Sequence, residues 1–117
     1  MRFNRIRSVV LFCAELKKAA KFYEDLLGVA PYRSDKDFVG FHLDGFDLCF
    51  HRQDEKSAPQ SGSQVVYFIV DDLSEAMKEL KTLGCEVHRR PIDIPEGGRV
   101  AQLRDPFGNI IGLMEKA

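Results

Sequence analysis

The stretch VVYFIVDDL at residues 65–73 repeats the pattern of SVVLFCAEL at residues 8–16, at an offset of 57 residues. Each stretch is an apolar run that leads into a segment where apolar residues recur with helical spacing. The first predicted helix stops at Gly28 and the second at Gly84, because glycine commonly ends a helix. An internal repeat of this kind predicts two copies of one structural module.

Three shorter extended segments follow each predicted helix. They fall at residues 29–33, 39–43 and 46–51 in the first half, and at 85–89, 99–104 and 110–114 in the second. Each half is therefore predicted to have the order β-α-β-β-β. The sequence predicts an α+β fold with one domain over residues 1–117, in which a Ser-rich linker at about 54–63 joins modules at about 5–53 and 64–115.

Composition and charge narrow the class of protein. The 117 residues are 44% hydrophobic and 30% charged, which is typical of a globular domain with a packed core. Lys and Arg number 17 against 18 Asp and Glu, so no nucleic-acid partner is expected. The longest apolar runs have six residues, too few to span a bilayer, so no membrane partner is expected. Three cysteines without a C-x-x-C spacing favour a reducing, cytoplasmic location.

Several motifs together resemble one known family. They are Phe22-Tyr23 before LLG at residues 26–28, VDDL at residues 70–73, DPFGN at residues 105–109 and the two βαβββ modules. This combination resembles the vicinal oxygen chelate superfamily, which includes glyoxalases, extradiol dioxygenases, fosfomycin-modifying enzymes and metal-free bleomycin-binding resistance proteins. The resemblance implies that the modules form a curled mixed sheet around a cleft, with helices on the outer face, and that two chains form a homodimer. Reaction type does not follow from the fold.

The resemblance also implies where a metal would bind. Metal-dependent members place ligands on the first and last strands of each module, at positions that correspond here to Ser8, Val65, Cys49 and Gly112. Valine and glycine offer a divalent ion no side-chain donor, and serine with cysteine is too few for a usual three-ligand catalytic site. No metal or other cofactor is therefore expected, and no catalytic residue is assigned.

The alternation of side chains along the strands separates a helix-side core from an opposite face that mixes aromatic and polar residues. Such a mixture suits a site that encloses a small organic ligand. The alternative is a dimer surface with ordinary edge exposure. The candidate ligand-binding residues on this face are Phe12, Phe38, His42, Cys49, His51, Tyr67, Gln102, Arg104 and Met114.

A two-residue hairpin turn is predicted at Asp44-Gly45. Gly40 and Cys49 would then face each other and leave open space in which ligand atoms could sit. Arg104 adds a permanent cation that suits an anionic or carbonyl-bearing ligand. The cross-strand pairs that this turn predicts are His42 with Asp47, Gly40 with Cys49, and Phe38 with His51.

Three groups of residues on this face have alternative interpretations. His42 with Asp47 is either a general-base pair or a solvated surface contact. Cys49 with His51 is either a thiolate pair or two residues that share a face, with an unreactive thiol. The aromatic residues among the candidates either stack on a flat ligand or fill a dimer core.

The sequence therefore predicts a metal-independent protein that binds a small organic molecule and has a sequestering or resistance role. The alternative is a lyase, isomerase or dioxygenase-like enzyme that uses a non-standard metal or acid-base site through His42, Asp47, Cys49 and His51. A third interpretation is an interaction module whose ligand-binding face is covered by a partner.

Overall fold

The computed structural model describes residues 4, 6–59, 64–95 and 97–117. These residues fall into two compact units that divide after Pro59. The predicted linker at about 54–63 spans this division, and its residues 60–63 lie outside the described part of the chain.

The first unit has the element order β-α-β-β-β. Its elements are β1 (Ser8–Cys13), α1 (Leu16–Leu27), β2 (Arg33–Ser34), β3 (Phe38–Leu43) and β4 (Phe46–Arg52). The four strands form one sheet in the order β1-β4-β3-β2. The sheet is mixed, because β1 runs parallel to β4 and the other neighbours are antiparallel.

The second unit repeats this topology. Its elements are β5 (Val66–Val70), α2 (Leu73–Thr82), β6 (Glu86–Asp93), β7 (Arg99–Arg104) and β8 (Ile110–Glu115). The sheet order is β5-β8-β7-β6, again with the first strand parallel to the last. The predicted α+β class with two tandem βαβββ modules is confirmed.

One face of each sheet packs against the helix of its own unit. In the first unit, Tyr23 of α1 lies against Phe50 of β4, with ring centroids 4.3 Å apart. In the second unit, Leu73 and Leu80 of α2 are buried against β6, β7 and β8. The opposite face of each sheet is called here its helix-free face. It is defined in the first unit by Val10, Phe12, Phe38, His42 and His51, and in the second by Tyr67, Ile69, Gln102 and Met114.

Two edge strands differ from the segments predicted at residues 29–33 and 85–89. β2 is only two residues long, because Pro31 just before it has no N–H to donate to a strand ladder. β6 continues through Pro91, since an edge strand tolerates proline and its pairing with β7 contains register shifts. Tyr32 consequently lies just before β2, although the segment predicted at residues 29–33 includes it.

The two helices begin differently. Asp72 precedes α2, and its side-chain oxygen accepts a hydrogen bond from the Glu75 backbone N–H at 3.1 Å. Glu15 precedes α1 and makes no side-chain hydrogen bond to the helix start. Within the described residues, neither helix is long and apolar enough to cross a membrane.

This difference gives a matched pair of substitutions. Asp72→Ala is expected to lower the free energy of unfolding by about 1 kcal/mol, because the Glu75 N–H loses its acceptor. Glu15→Ala is expected to have a much smaller effect, since no capping bond is lost. Urea unfolding followed by circular dichroism measures both changes. Equal losses in the two variants would contradict the capping role of Asp72.

Candidate functional site

The hairpin of β3 and β4 sets the register of the site in the first unit. Gly45 in its turn has a φ of 90°, a backbone conformation that glycine adopts without steric penalty. The predicted cross-strand pairs are confirmed: His42 pairs with Asp47, Gly40 with Cys49, and Phe38 with His51. Because the side-chain period of a strand is two, all three pairs lie on the helix-free face.

Three of the candidate residues form one row across this sheet. Phe12 of β1 pairs with His51 of β4, which pairs in turn with Phe38 of β3. The Phe12 and His51 rings have centroids 6.1 Å apart. The Arg33 guanidinium carbon lies 4.6 Å from the centre of the Phe38 ring, within the range of a cation–π contact. The row therefore places three flat side chains on neighbouring strands of one face.

Tyr32 fills the space that was predicted to be open beside Gly40. A Cβ atom added at Gly40 would lie 2.5 Å from the Tyr32 ring. The prediction of open space is therefore wrong. The ring can lie this close to the strand only because glycine has no side chain, and it covers the backbone of β3 on the helix-free face.

Tyr32 also lies close to three candidate residues of this unit, which are His42, Cys49 and Phe38. Its ring stacks on His42 with centroids 4.0 Å apart and planes 7° from parallel. Its hydroxyl oxygen lies 3.8 Å from the Cys49 sulfur, and its ring is 6.3 Å from that of Phe38. We call Phe12, Tyr32, Phe38, His42 and His51 together the aromatic surface.

Sequence reasoning missed Tyr32 because alternation was not applied to the predicted segment at residues 29–33. The available signal was Gly40 itself. A glycine within a strand often marks a site where another group approaches the backbone closely. A large side chain near Gly40 in space was therefore the better prediction.

The His42–Asp47 contact is short. His42 Nδ1 and Asp47 Oδ1 are 2.7 Å apart, and the two side chains are 68% and 16% exposed. A carboxylate only accepts hydrogen bonds, so His42 Nδ1 is the donor and Nε2 remains as the second polar atom of the ring. This geometry is compatible with both interpretations of the pair, a base with an orienting carboxylate or a surface contact.

Cys49 is placed beside Tyr32 and not in a pair with His51. Its side chain is 3% exposed, and burial raises the pKa of the thiol above its usual value although the Tyr32 hydrogen bond opposes the shift. His51 Nδ1 instead donates to the backbone oxygen of Arg52 at 2.9 Å. The arrangement favours an unreactive thiol at Cys49. Burial, with a smaller effect from Asp105, also raises the pKa of Cys85 to about 12.

The second unit brings Tyr67 and Gln102 together over a glycine. Tyr67 of β5, Gly112 of β8 and Gln102 of β7 form one cross-strand row. A Cβ atom at Gly112 would lie 2.6 Å from the Tyr67 ring, and Gln102 Nε2 donates to Tyr67 Oη at 2.7 Å. The predicted pairing of Gln102 with Gly112 is confirmed. Tyr67 stays 44% exposed, so part of its ring faces outward.

Arg104 and Met114 lie on opposite sides of this row. Arg104 pairs with Ile110, as predicted, and Met114 pairs with Val100. The Arg104 guanidinium donates to His88 Nδ1 at 3.2 Å. Sequence reasoning did not single out His88, because it lies at a register shift between β6 and β7 where simple alternation fails.

A family model matches almost the whole chain. It is the model of the Glyoxalase/Bleomycin resistance protein/Dioxygenase superfamily, and it covers residues 5–113. The chain belongs to this superfamily. The resemblance carried by the VDDL and DPFGN motifs is therefore confirmed.

Solved structures of the superfamily share the fold. A glyoxalase-related enzyme from Fulvimarina pelagi is 23% identical with a TM-score of 0.78, over 97% of this chain and 89% of that one. A lactoylglutathione lyase from Agrobacterium tumefaciens is 21% identical with a TM-score of 0.75, over 98% and 96% of the two chains. A superfamily enzyme from Burkholderia phytofirmans is 16% identical with a TM-score of 0.83, over 97% and 100%. At these identities the likeness shows the fold alone.

One curated relative has a higher sequence identity than these structures, but the match covers a shorter stretch of the chain. CFP32 of Mycobacterium tuberculosis is 40% identical over 52 residues, which is 44% of this chain and 20% of CFP32. The match thus spans about a fifth of that relative's length. It therefore does not establish an activity or a substrate for this superfamily member.

The residues at the superfamily's metal positions do not fit a metal ion. Gly112 has no side chain, and the Tyr67 ring fills the space where one would begin. Val65 offers no donor atom, and the Cys49 thiol has a raised pKa that disfavours the thiolate a metal prefers. Within the described residues, no group of three or more His, Cys, Asp or Glu side chains is placed to hold a metal ion.

Proposed function

We propose that this superfamily member binds a small organic molecule on the helix-free faces of its sheets, without a metal at the superfamily's positions. The observation that carries the proposal is the aromatic surface of the first unit. Five flat side chains lie on one face there, with ring contacts between Phe12 and His51 and between Tyr32 and both Phe38 and His42. Three of the five, Tyr32, His42 and His51, are exposed. An aromatic surface with a few fixed polar groups is typical of sites for small organic ligands.

Polar groups beside the aromatic side chains would orient the ligand. In the second unit, the Tyr67 hydroxyl accepts from Gln102 and keeps its own proton for donation to a ligand oxygen. In the first unit, the Asp47 hydrogen bond holds the His42 ring in one orientation. Groups that are fixed before binding lose less conformational entropy when the ligand arrives. A sequestering or resistance role follows if binding alone is the function.

The test of this proposal begins with a ligand screen on metal-free protein by ligand-observed NMR. For a ligand so identified, Phe38→Ala is expected to weaken binding about tenfold or more, because the variant removes the flat side chain at one end of the row. Tyr67→Ala is expected to do the same for a ligand that binds to the second unit. Val29→Ala is the control, since Val29 is an exposed apolar residue outside both helix-free faces. Unchanged affinity in Phe38→Ala and Tyr67→Ala, with the fold intact, would contradict the proposal.

The short His42–Asp47 contact favours a second candidate function, an enzyme that uses these residues for acid-base chemistry. The Asp47 hydrogen bond orients the His42 ring, as a carboxylate does for the histidine of other acid-base sites. If the protein converts a thiol adduct or a catechol and this activity disappears in His42→Ala, the enzyme hypothesis displaces simple binding. If no such conversion is detected in the wild-type protein, binding without chemistry stands.

A further inference from the structure

A groove lies at the turn end of the β3–β4 hairpin, beside the start of β1. Its volume is about 620 Å³, and it is lined by Ile6, Arg7, His42 and Asp47 together with residues of the turn. It adjoins the aromatic surface through His42, but Arg7 and Ile6 belong to neither the predicted site nor that surface. The groove therefore brings a cation and an apolar side chain next to a flat ring.

The His42 side chain is exposed, but contacts with two residues fix the orientation of its ring. One face of its ring stacks on Tyr32 at 4.0 Å, and its Nδ1 is fixed by Asp47 at 2.7 Å. An exposed side chain normally keeps its rotamer freedom, which it loses when it takes part in binding. Here that freedom is already restricted, and the ring face away from Tyr32 is presented in a fixed orientation. Such preorganisation is what a recognition surface requires.

Arg7 lines the groove with a guanidinium, and Asp47 lines it with a carboxylate that contacts His42. Within the described ranges of the chain, Arg7 makes no salt bridge. Arg33 of the same unit is paired with Asp35 at 2.8 Å, and Arg52 donates to the Lys36 backbone oxygen at 2.9 Å. The carboxylate that lines the groove, Asp47, is already bonded to His42.

The Arg7 backbone is fixed to the same sheet. Its carbonyl oxygen accepts from the Asp47 N–H at 2.9 Å, which extends the β1–β4 pairing by one residue toward the groove. Burial raises the pKa of both Tyr32 and Cys49, and the positive charge of Arg7 opposes this rise to a smaller extent, so the guanidinium acts electrostatically on this face of the sheet. A ligand that neutralises Arg7 would thus bind beside the Tyr32–His42 stack.

We propose that this groove binds a planar organic acid, with its carboxylate on Arg7 and its flat body against the outer face of the His42 ring. Arginine recognises carboxylates through two parallel N–H donors, a geometry that lysine does not offer. Ile6, which is 75% exposed, supplies apolar contact for the body of the ligand. The inference rests on the proposed function in one respect, that the helix-free face of the first unit binds small molecules, and it adds the chemical class of the ligand.

The test compares benzoate with its neutral analogue benzamide, each titrated into the full chain at low ionic strength and followed by two-dimensional ¹H–¹⁵N NMR. Wild-type protein is expected to bind benzoate about tenfold more tightly than benzamide, because only benzoate pairs with the Arg7 charge. Arg7→Gln is expected to remove this preference and to leave the benzamide affinity unchanged. Arg7→Lys is expected to restore part of the preference, since the charge returns without the bidentate geometry.

Two further variants distinguish the effect of the Arg7 charge from the effect of stacking on the His42 ring. Lys21→Gln removes one positive charge from the exposed face of α1 and is expected to leave both affinities unchanged. His42→Ala is expected to weaken benzoate and benzamide alike, because both stack on the same ring. Equal affinity for the two ligands in the wild-type protein, no saturable binding of benzoate, or an unchanged preference in Arg7→Gln would each overturn the inference.

The outcomes also separate this inference from the proposed function. If benzoate binding depends on Arg7 while Phe38→Ala leaves the affinity for every screened ligand unchanged, the groove is supported and the wider aromatic surface is contradicted. If Phe38→Ala removes the binding of a screened ligand while Arg7→Gln leaves benzoate affinity unchanged, the aromatic surface is supported and the carboxylate groove is overturned.

Discussion

Gly40→Ala is expected to weaken ligand binding to the first unit about tenfold while leaving the fold in place. The added Cβ would lie 2.5 Å from the Tyr32 ring and 2.6 Å from its hydroxyl oxygen, so the tyrosine must move. These atoms are at the far end of a flexible side chain, and the ring can swing away from β3 without moving the strand. The aromatic surface then loses the residue that joins His42, Phe38 and Cys49.

Two measurements check this expectation. The dissociation constant of a screened ligand reports the loss of the site, and the nuclear Overhauser effect between the Tyr32 and His42 rings reports the loss of the stack. The control is the double variant Tyr32→Ala with Gly40→Ala, which should bind no more weakly than Tyr32→Ala alone, since both changes remove the same ring. Full affinity and an intact ring contact in Gly40→Ala would contradict the role assigned to Tyr32.

Asp105→Ala is expected to lower the free energy of unfolding by about 3 kcal/mol, because it leaves the buried Asn109 amide and the part-buried Phe107 amide without their acceptor. Asp105 is 3% exposed. Its Oδ1 accepts from the backbone N–H of Phe107 at 2.9 Å and of Asn109 at 2.8 Å. The first residue of the DPFGN motif thus closes the turn between β7 and β8, which sets the register of Gln102 and Gly112.

Asp54 provides a matched control for this substitution. Its Oδ1 accepts from the backbone N–H of Lys56 and of Ser57, both at 2.9 Å, but this turn is exposed. Asp54→Ala is therefore expected to cost less than about 1 kcal/mol, since water replaces the lost acceptor. Urea unfolding followed by circular dichroism compares the two variants. A loss in Asp105→Ala no larger than that in Asp54→Ala would show that burial of the turn is not what makes Asp105 important.

The topology was predictable from the sequence because the fold depends on local patterns that occur twice. Apolar runs followed by helical spacing and by glycine define β1 with α1 and β5 with α2. The Asp44-Gly45 turn sets the β3–β4 register, and with it the His42–Asp47 pair. Such features are specified by residues close in sequence.

Two contacts, those of Tyr32 and His88, were not predicted from the sequence. Both involve residues that lie where regular strand pairing is absent or shifted. Tyr32 follows Pro31 in an irregular segment, so alternation could not place its ring over Gly40. His88 lies at a register shift, where the assignment of faces by alternation fails. Both contacts depend on tertiary structure. The homodimer and the cytoplasmic location stay predictions.

Metal content is the most direct test of binding without a metal. The measurement is elemental analysis of tagless protein purified without chelator, before and after incubation with zinc, nickel, manganese and iron and removal of unbound ions. The substitutions at the superfamily's ligand positions, above all Gly112 beneath the Tyr67 ring, lead us to expect far less than one equivalent of any metal per chain. One equivalent of a single metal, accompanied by a higher melting temperature, would contradict metal-independent binding.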